Sequence, residues 1–180
     1  KLAPTNELDR DDFVARLGPD PLDPDFDWRL LRQRLQPRKI SVSNKRSKSE
    51  ADSKKDSPTS GRSIKAALLD QETLAGVGNI YADESLFMAC INPRRSASSL
   101  TVPELKRLTE ALRERLTCSI NDGGSTARNY VDALGLRGEF LDLHAQVYGR
   151  SGQACLKCGS KLEKTRVAGR GTVFCPKCQK

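Results

Sequence analysis

Two cysteine pairs near the carboxyl end, Cys155-x-x-Cys158 and Cys175-x-x-Cys178, constrain this chain more than any other feature. Sixteen residues separate the pairs, a spacing at which four thiolates can surround one tetrahedral Zn²⁺. Gly159 and Pro176, each beside a thiol, suit the tight turns that aim two sulfurs at one metal. Four protein ligands leave no open coordination position, so the expected metal is structural, not catalytic. Two disulfides are the alternative, but nothing else in the chain looks secreted. Leu162–Ala168 and Thr172–Phe174, separated by Gly169-Arg170-Gly171, read as a β-hairpin with a basic tip. So few apolar residues lie here that metal binding is expected to stabilise the segment. Cys90 and Cys118 fall in helical stretches and are expected to be buried thiols.

The chain has 180 residues, 37% hydrophobic and 30% charged, with a net charge of +8. Basicity sits in two blocks: residues 38–65 carry nine basic and three acidic side chains, and residues 150–180 carry eight and one. Such blocks suit a polyanion, because each neutralised phosphate releases condensed counterions; a solubilising surface is the alternative. Residues 41–61 contain seven Ser and five Lys or Arg in 21 positions. They cannot bury enough surface to offset their ordering entropy, and are expected to form a disordered basic insert. It either tracks a phosphate backbone or is a tolerated surface insertion. No apolar run reaches the ~18 residues a membrane span needs. The amino end, Lys1-Leu2-Ala3-Pro4, shows no secretory pattern and no initiator Met, which suggests a processed product or fragment.

The remainder reads as helical. Phe26, Leu30, Leu31 and Leu35 fall at helical spacing after Asp25, a candidate N-cap. Ser63 is placed to cap a short helix through Ile64, Ala67 and Leu68, and Asn79–Ala89 is expected to form another helix. Thr101-Val102-Pro103-Glu104 is a capping box with Pro just inside the start, followed by the apolar stripe Leu105, Leu108, Leu112 and Leu116. Asn121-Asp122-Gly123-Gly124 should end that helix.

Gly76-Val77-Gly78-Asn79 precedes the second short helix. Free N–H groups at a helix start favour an anion such as phosphate, although a glycine turn with an Asn cap has the same residues. Residues 64–93, IKAALLDQETLAGVGNIYADESLFMACINP, resemble the helix–two-turns–helix segment of the formamidopyrimidine-DNA glycosylase (Fpg/Nei) family. Residues 16–24, RLGPDPLDP, are similar to the opening of its carboxyl-terminal domain, residues 123–150 to its next helix and lid, and residues 155–180 to its zinc finger. The resemblance implies a mainly α fold: a linker remnant at 1–15, a helix–two-turns–helix DNA-binding domain at 16–149, and a four-cysteine zinc finger at 150–180 holding one structural zinc. The family's amino-terminal β-sandwich has no counterpart in it.

The resemblance also implies a function. The family excises oxidised purines such as 8-oxoguanine and formamidopyrimidine from double-stranded DNA and cleaves the abasic site. Asn79, after Gly78, matches its phosphate-gripping Asn, and Arg170 matches the Arg of its zinc hairpin. Lys65 is either part of the same phosphate cluster or a solvated helix lysine. Gly135 and Gly138, in the stretch 134–140, fall on the mobile lid over the extruded base, which Thr126 and Arg128 flank. Tyr81 reads as core packing. The family nucleophile is an amino-terminal Pro followed by Glu; here Pro4 is internal and followed by Thr5, so no catalytic residue is assigned. The expectation is a monomeric chain that binds damaged DNA without turnover, the missing catalytic half lying elsewhere, in a bacterial-type cytoplasm at the nucleoid. The alternative is a stand-alone zinc-finger DNA-binding module without catalysis.

Overall fold

In the computed structural model, residues 14–36, 61–125 and 138–180 are described. Thr126, Arg128 and Gly135, most of the lid stretch, the linker segment 1–13 and the basic insert other than Gly61 lie outside them. Helix α1 spans Trp28–Leu35, α2 Ile64–Leu69, α3 Asn79–Met88, α4 Val102–Asn121 and α5 Phe140–His144. Strands β1, Glu163–Val167, and β2, Arg170–Phe174, form one antiparallel hairpin. Among the described residues no helix is long and apolar enough to cross a membrane.

Local chemistry sets the helix ends. The cap of α1 is Asp27, not Asp25: its carboxylate accepts from the N–H groups of Arg29 and Leu30, both at 2.9 Å. Asp25 belongs to the preceding turn, where its N–H donates to Asp23 Oδ1. Phe26 therefore lies outside the helix, yet it is buried in the same core as Leu31 and Leu35, as a residue just before the cap often is. Ser63 caps α2 as its position suggests, accepting from Ala66 N at 3.3 Å. At α4 the Glu104 carboxylate accepts from both the N–H and the hydroxyl of Thr101, each at 2.8 Å. Gly123 and Gly124 end α4 with φ of +69° and +98°, which only glycine adopts without strain.

Leu105, Leu108 and Leu112 are buried in the core that α4 shares with α1 and α3, and Leu116 is buried as well. The link between α2 and α3 is stitched by two side chains. Asp70 accepts from Glu72 N and from the Thr73 hydroxyl. Gln71 accepts from Gly76 N at 3.0 Å and donates to Val77 O at 3.0 Å. Arg62 clamps the first turn through Asp70 Oδ2 at 2.7 Å and Thr73 Oγ1 at 2.8 Å. The result is a helix, two turns and a helix.

The hairpin turns at Ala168-Gly169, whose φ values are +50° and +71°. Positive φ at both positions of a two-residue loop marks the tight hairpin turn whose twist matches the strands. Arg170 is thus not in the turn but opens β2, paired with Val167. Cys90 also departs from expectation. It follows α3 in the left-handed region at φ +61° and is exposed, while Cys118 is half-buried.

Candidate nucleic-acid interface and metal centre

The four Sγ atoms of Cys155, Cys158, Cys175 and Cys178 all lie within 4.8 Å of one another. Cys155 and Cys178 are 3.9 Å apart, and Cys158 and Cys175 3.5 Å. A tetrahedron of thiolates at ~2.3 Å from zinc has edges of roughly 3.8 Å, whereas a disulfide needs ~2.05 Å. All four cysteines are free. The donor set therefore fits one zinc ion, held by four thiolates with no site left for a reactant. Gly159, at φ +73°, lets its N–H turn back to Cys155 O at 2.8 Å, and the Cys178 N–H points at Cys175 Sγ.

The finger does not stand apart from the helices. Its small core of Val147, Cys155, Leu162, Val173 and Cys175 includes Phe87 of α3, fully buried there. Asn79, Asp83 and Phe87, each four residues after the last, all engage the finger, while Ala82, Leu86 and the C-cap Ala89 belong to the helical core. Glu84 is buried as well, its carboxylate accepting from the N–H groups of Gln146, Val147 and Tyr148 at 2.8–3.1 Å. Helix α3 is thus buried on both sides. Asp83 and Glu84 had no signal in the sequence, because adjacent carboxylates in a helix ordinarily face water.

Lys65 is neither solvated nor at the surface. Its side chain is fully buried, and its ammonium meets Asp83 Oδ1 at 2.6 Å, Thr172 Oγ1 at 2.7 Å and Gly171 O at 3.1 Å. All three donors of the ammonium are committed, so Lys65 ties α2 and α3 to β2. Burial pushes the Asp83 carboxyl up to about 6 against the pull of Lys65, and burial likewise lowers Lys65. Asp83 Oδ2 also accepts from Val173 N.

The Gly171 carbonyl accepts from Asn79 Nδ2 as well, at 3.2 Å. Asn79 is the first residue of α3, and Gly78 is its cap, with no capping side chain to cover the first-turn N–H groups. Asn79, Gly78 and Arg170 line one cavity of about 460 Å³, together with Gln71 and Ala168. Three residues singled out from the sequence are therefore side by side: one free helix start, one amide and one exposed guanidinium. A methyl group at Gly78 would meet nothing within 4 Å, so the fold itself does not require glycine there. At Gly138 the reverse holds. A Cβ would come within 2.1 Å of Gly124 O, so close packing requires this glycine. Tyr81 is fixed by packing, its hydroxyl 2.6 Å from Ser119 Oγ and its ring edge-on to Phe140.

The family described as "Formamidopyrimidine-DNA glycosylase H2TH domain" matches residues 44–131, and "Zinc finger found in FPG and IleRS" matches residues 152–180. The formamidopyrimidine-DNA glycosylase of Thermomicrobium roseum is 42% identical over 180 residues, covering 99% of this chain and 54% of the relative. That of Geobacillus kaustophilus is 44% identical over 175 residues, covering 97% and 55%. The chain belongs to the formamidopyrimidine-DNA glycosylase family. It matches the carboxyl-terminal half of these glycosylases and spans about half the length of the curated relatives. The FPG protein of Thermus thermophilus superposes with a TM-score of 0.76 at 40% identity, covering 96% of this chain and 57% of that one. A Lactococcus lactis Fpg, solved as a complex with DNA containing an abasic site, superposes with a TM-score of 0.76 at 35% identity, covering 98% and 56%.

Proposed function

We propose that this chain grips damaged double-stranded DNA on behalf of a base-excision-repair glycosylase and abasic-site lyase acting on oxidised purines. The observation that carries the reading is the convergence of Asn79, Gly78 and Arg170 on one cavity. A guanidinium, an amide and uncapped helix N–H groups around one small space are donors suited to a phosphate. The block of eight basic and one acidic residues at 150–180 supplies the attraction that a duplex needs. The relatives are formamidopyrimidine-DNA glycosylases, and the Lactococcus lactis Fpg complexes contain DNA, which supports this use.

In this reading, residues 16–149 form the DNA-binding domain and 150–180 the finger. The pinch on the backbone helps bend the duplex and extrude the damaged nucleotide, while Thr126, Arg128, Gly135 and Gly138 belong to the lid and base pocket. Lys65 serves the phosphate site indirectly, by holding the Gly171 carbonyl against Asn79. This half supplies binding and works as a monomer, and the catalytic proline comes from the glycosylase's other half.

The test is borohydride trapping of the purified chain on a duplex with one abasic site, run beside a gel shift at two salt concentrations. A shifted band without a covalent adduct is expected. A trapped adduct would place a lyase amine inside this chain and overturn the division of labour. In the same assay Asn79→Ala and Arg170→Ala should each weaken binding to any duplex, and equal affinity for variant and parent would remove the pinch.

A further inference from the structure

The cavity that holds Asn79 and Arg170 has a neighbour at the hairpin turn. Ala66 and Ala168 line it and also line a second cavity of about 530 Å³, so the two adjoin at α2 and the turn as neighbouring lobes. Three arginines, Arg62, Arg94 and Arg166, line the second lobe. Arg62 is spent on Asp70 and Thr73. Arg94 and Arg166 are exposed, and among the described residues no carboxylate pairs with either. Both are steadied: the Arg94 guanidinium lies 5.1 Å from the centre of the Phe174 ring, and Arg166 Nε donates to Gly169 O at 3.1 Å. Among the described residues Asp70 is the one acid lining either lobe, and Arg62 already neutralises it.

We propose that Arg94 and Arg166 form a second phosphate site, gripping the backbone of flanking nucleotides on the same duplex that Asn79 and Arg170 pinch. This rests on the DNA-binding reading above. Arg166 pairs with Gly171, and Arg170 with Val167, so the two arginines flank one two-residue turn from opposite strands. A backbone passing Arg170 meets the second lobe next. The site is built of guanidinium forks over a floor of small residues, which matches the planar, two-pronged hydrogen bonding of a phosphodiester.

The experiment measures binding of an abasic-analogue duplex across a salt series, with the full chain and its Arg94→Gln/Arg166→Gln double variant. Loss of two phosphate contacts should flatten the slope of log affinity on log salt by about 1.8. Affinity for a long duplex should fall roughly tenfold or more at low salt. Duplexes trimmed on one side of the lesion should abolish the difference between parent and variant. The Arg94→Lys/Arg166→Lys variant keeps both charges and should keep the slope. An unchanged slope in the Gln variant, while Arg170→Ala still weakens binding, overturns the second site and leaves the pinch standing. Equal flattening by the Lys and Gln variants also overturns it, because the loss would then be of folding. No effect from either Gln substitution or Arg170→Ala would remove the DNA-binding reading itself.

Discussion

Glu104 shows how much one side chain contributes when several partners converge on it. It accepts from Arg95 and from both polar groups of Thr101. The Arg95 hydrogen bond, with those from Thr101, holds its carboxyl down at about 2 against the effect of burial. A folded-state value below the unfolded one contributes stability above the unfolded value and loses it on acidification. The contribution should therefore be complete above about pH 4.5 and vanish as pH falls toward 2. Urea unfolding of Glu104→Gln against the parent should show a deficit of ~1 kcal/mol or more at pH 7, closing in that acidic window. A constant deficit at every pH would show that the carboxylate charge is not what matters. Gly78 permits a complementary test. Since open space surrounds its Cβ position, Gly78→Ala should cost under ~1 kcal/mol in thermal melting while weakening DNA binding. Full DNA affinity in that variant would show that no ligand approaches this helix start.

At the scale of elements, α3 carries the molecule, because it is shared by the helical core and the finger. The Lys65–Asp83 pair is the polar half of that junction and Phe87 the apolar half. Removing one member of a fully buried pair strands the other charge, so Lys65→Met should destabilise by roughly 3–5 kcal/mol. Adding Asp83→Leu should restore most of the loss, since apolar replacements can be neutral or better. A double variant as unstable as the single one would mean that the pair contributes more than the mutual neutralisation of its charges. Helix existence was legible in the sequence wherever an apolar stripe met a cap, as at Thr101–Leu116. The two-sided burial of α3 was not, because six consecutive buried residues, Ala82–Phe87, have no single apolar face. The cap lies at Asp27, two residues beyond the expected Asp25, for a similar reason: Asp23, Asp25 and Asp27 offer the same chemistry, and only the turn geometry chooses.

For the whole molecule, zinc and the helices stabilise the finger together. Chelation should unfold residues 150–180 and expose Phe87, while leaving most of the far-ultraviolet helical signal, because the core of α1, α2 and α4 contains no finger residue. Hydrogen exchange before and after metal removal would read this directly, with protection lost in β1, β2 and the 145–149 linker and retained in α4. Loss of protection in α4 as well would show that the two modules unfold as one unit. DNA binding should disappear with the metal, since Arg170 leaves the side of Asn79.

The sequence by itself determined the metal centre, the helix starts at Ser63 and Thr101, the hairpin and the family resemblance. Each depends on residues close together in the chain, where spacing is geometry. The tertiary structure alone decided that Lys65 is a buried strut, that Asp83 and Glu84 face protein and not water, and that Arg170 opens a strand beside Asn79. Those roles depend on contacts across 18 to 107 positions, Lys65 to Asp83 and Lys65 to Thr172. No local periodicity records which distant backbone a charged side chain will meet. Burial, which sets the cost of such a charge, exists only once the chain has closed around it.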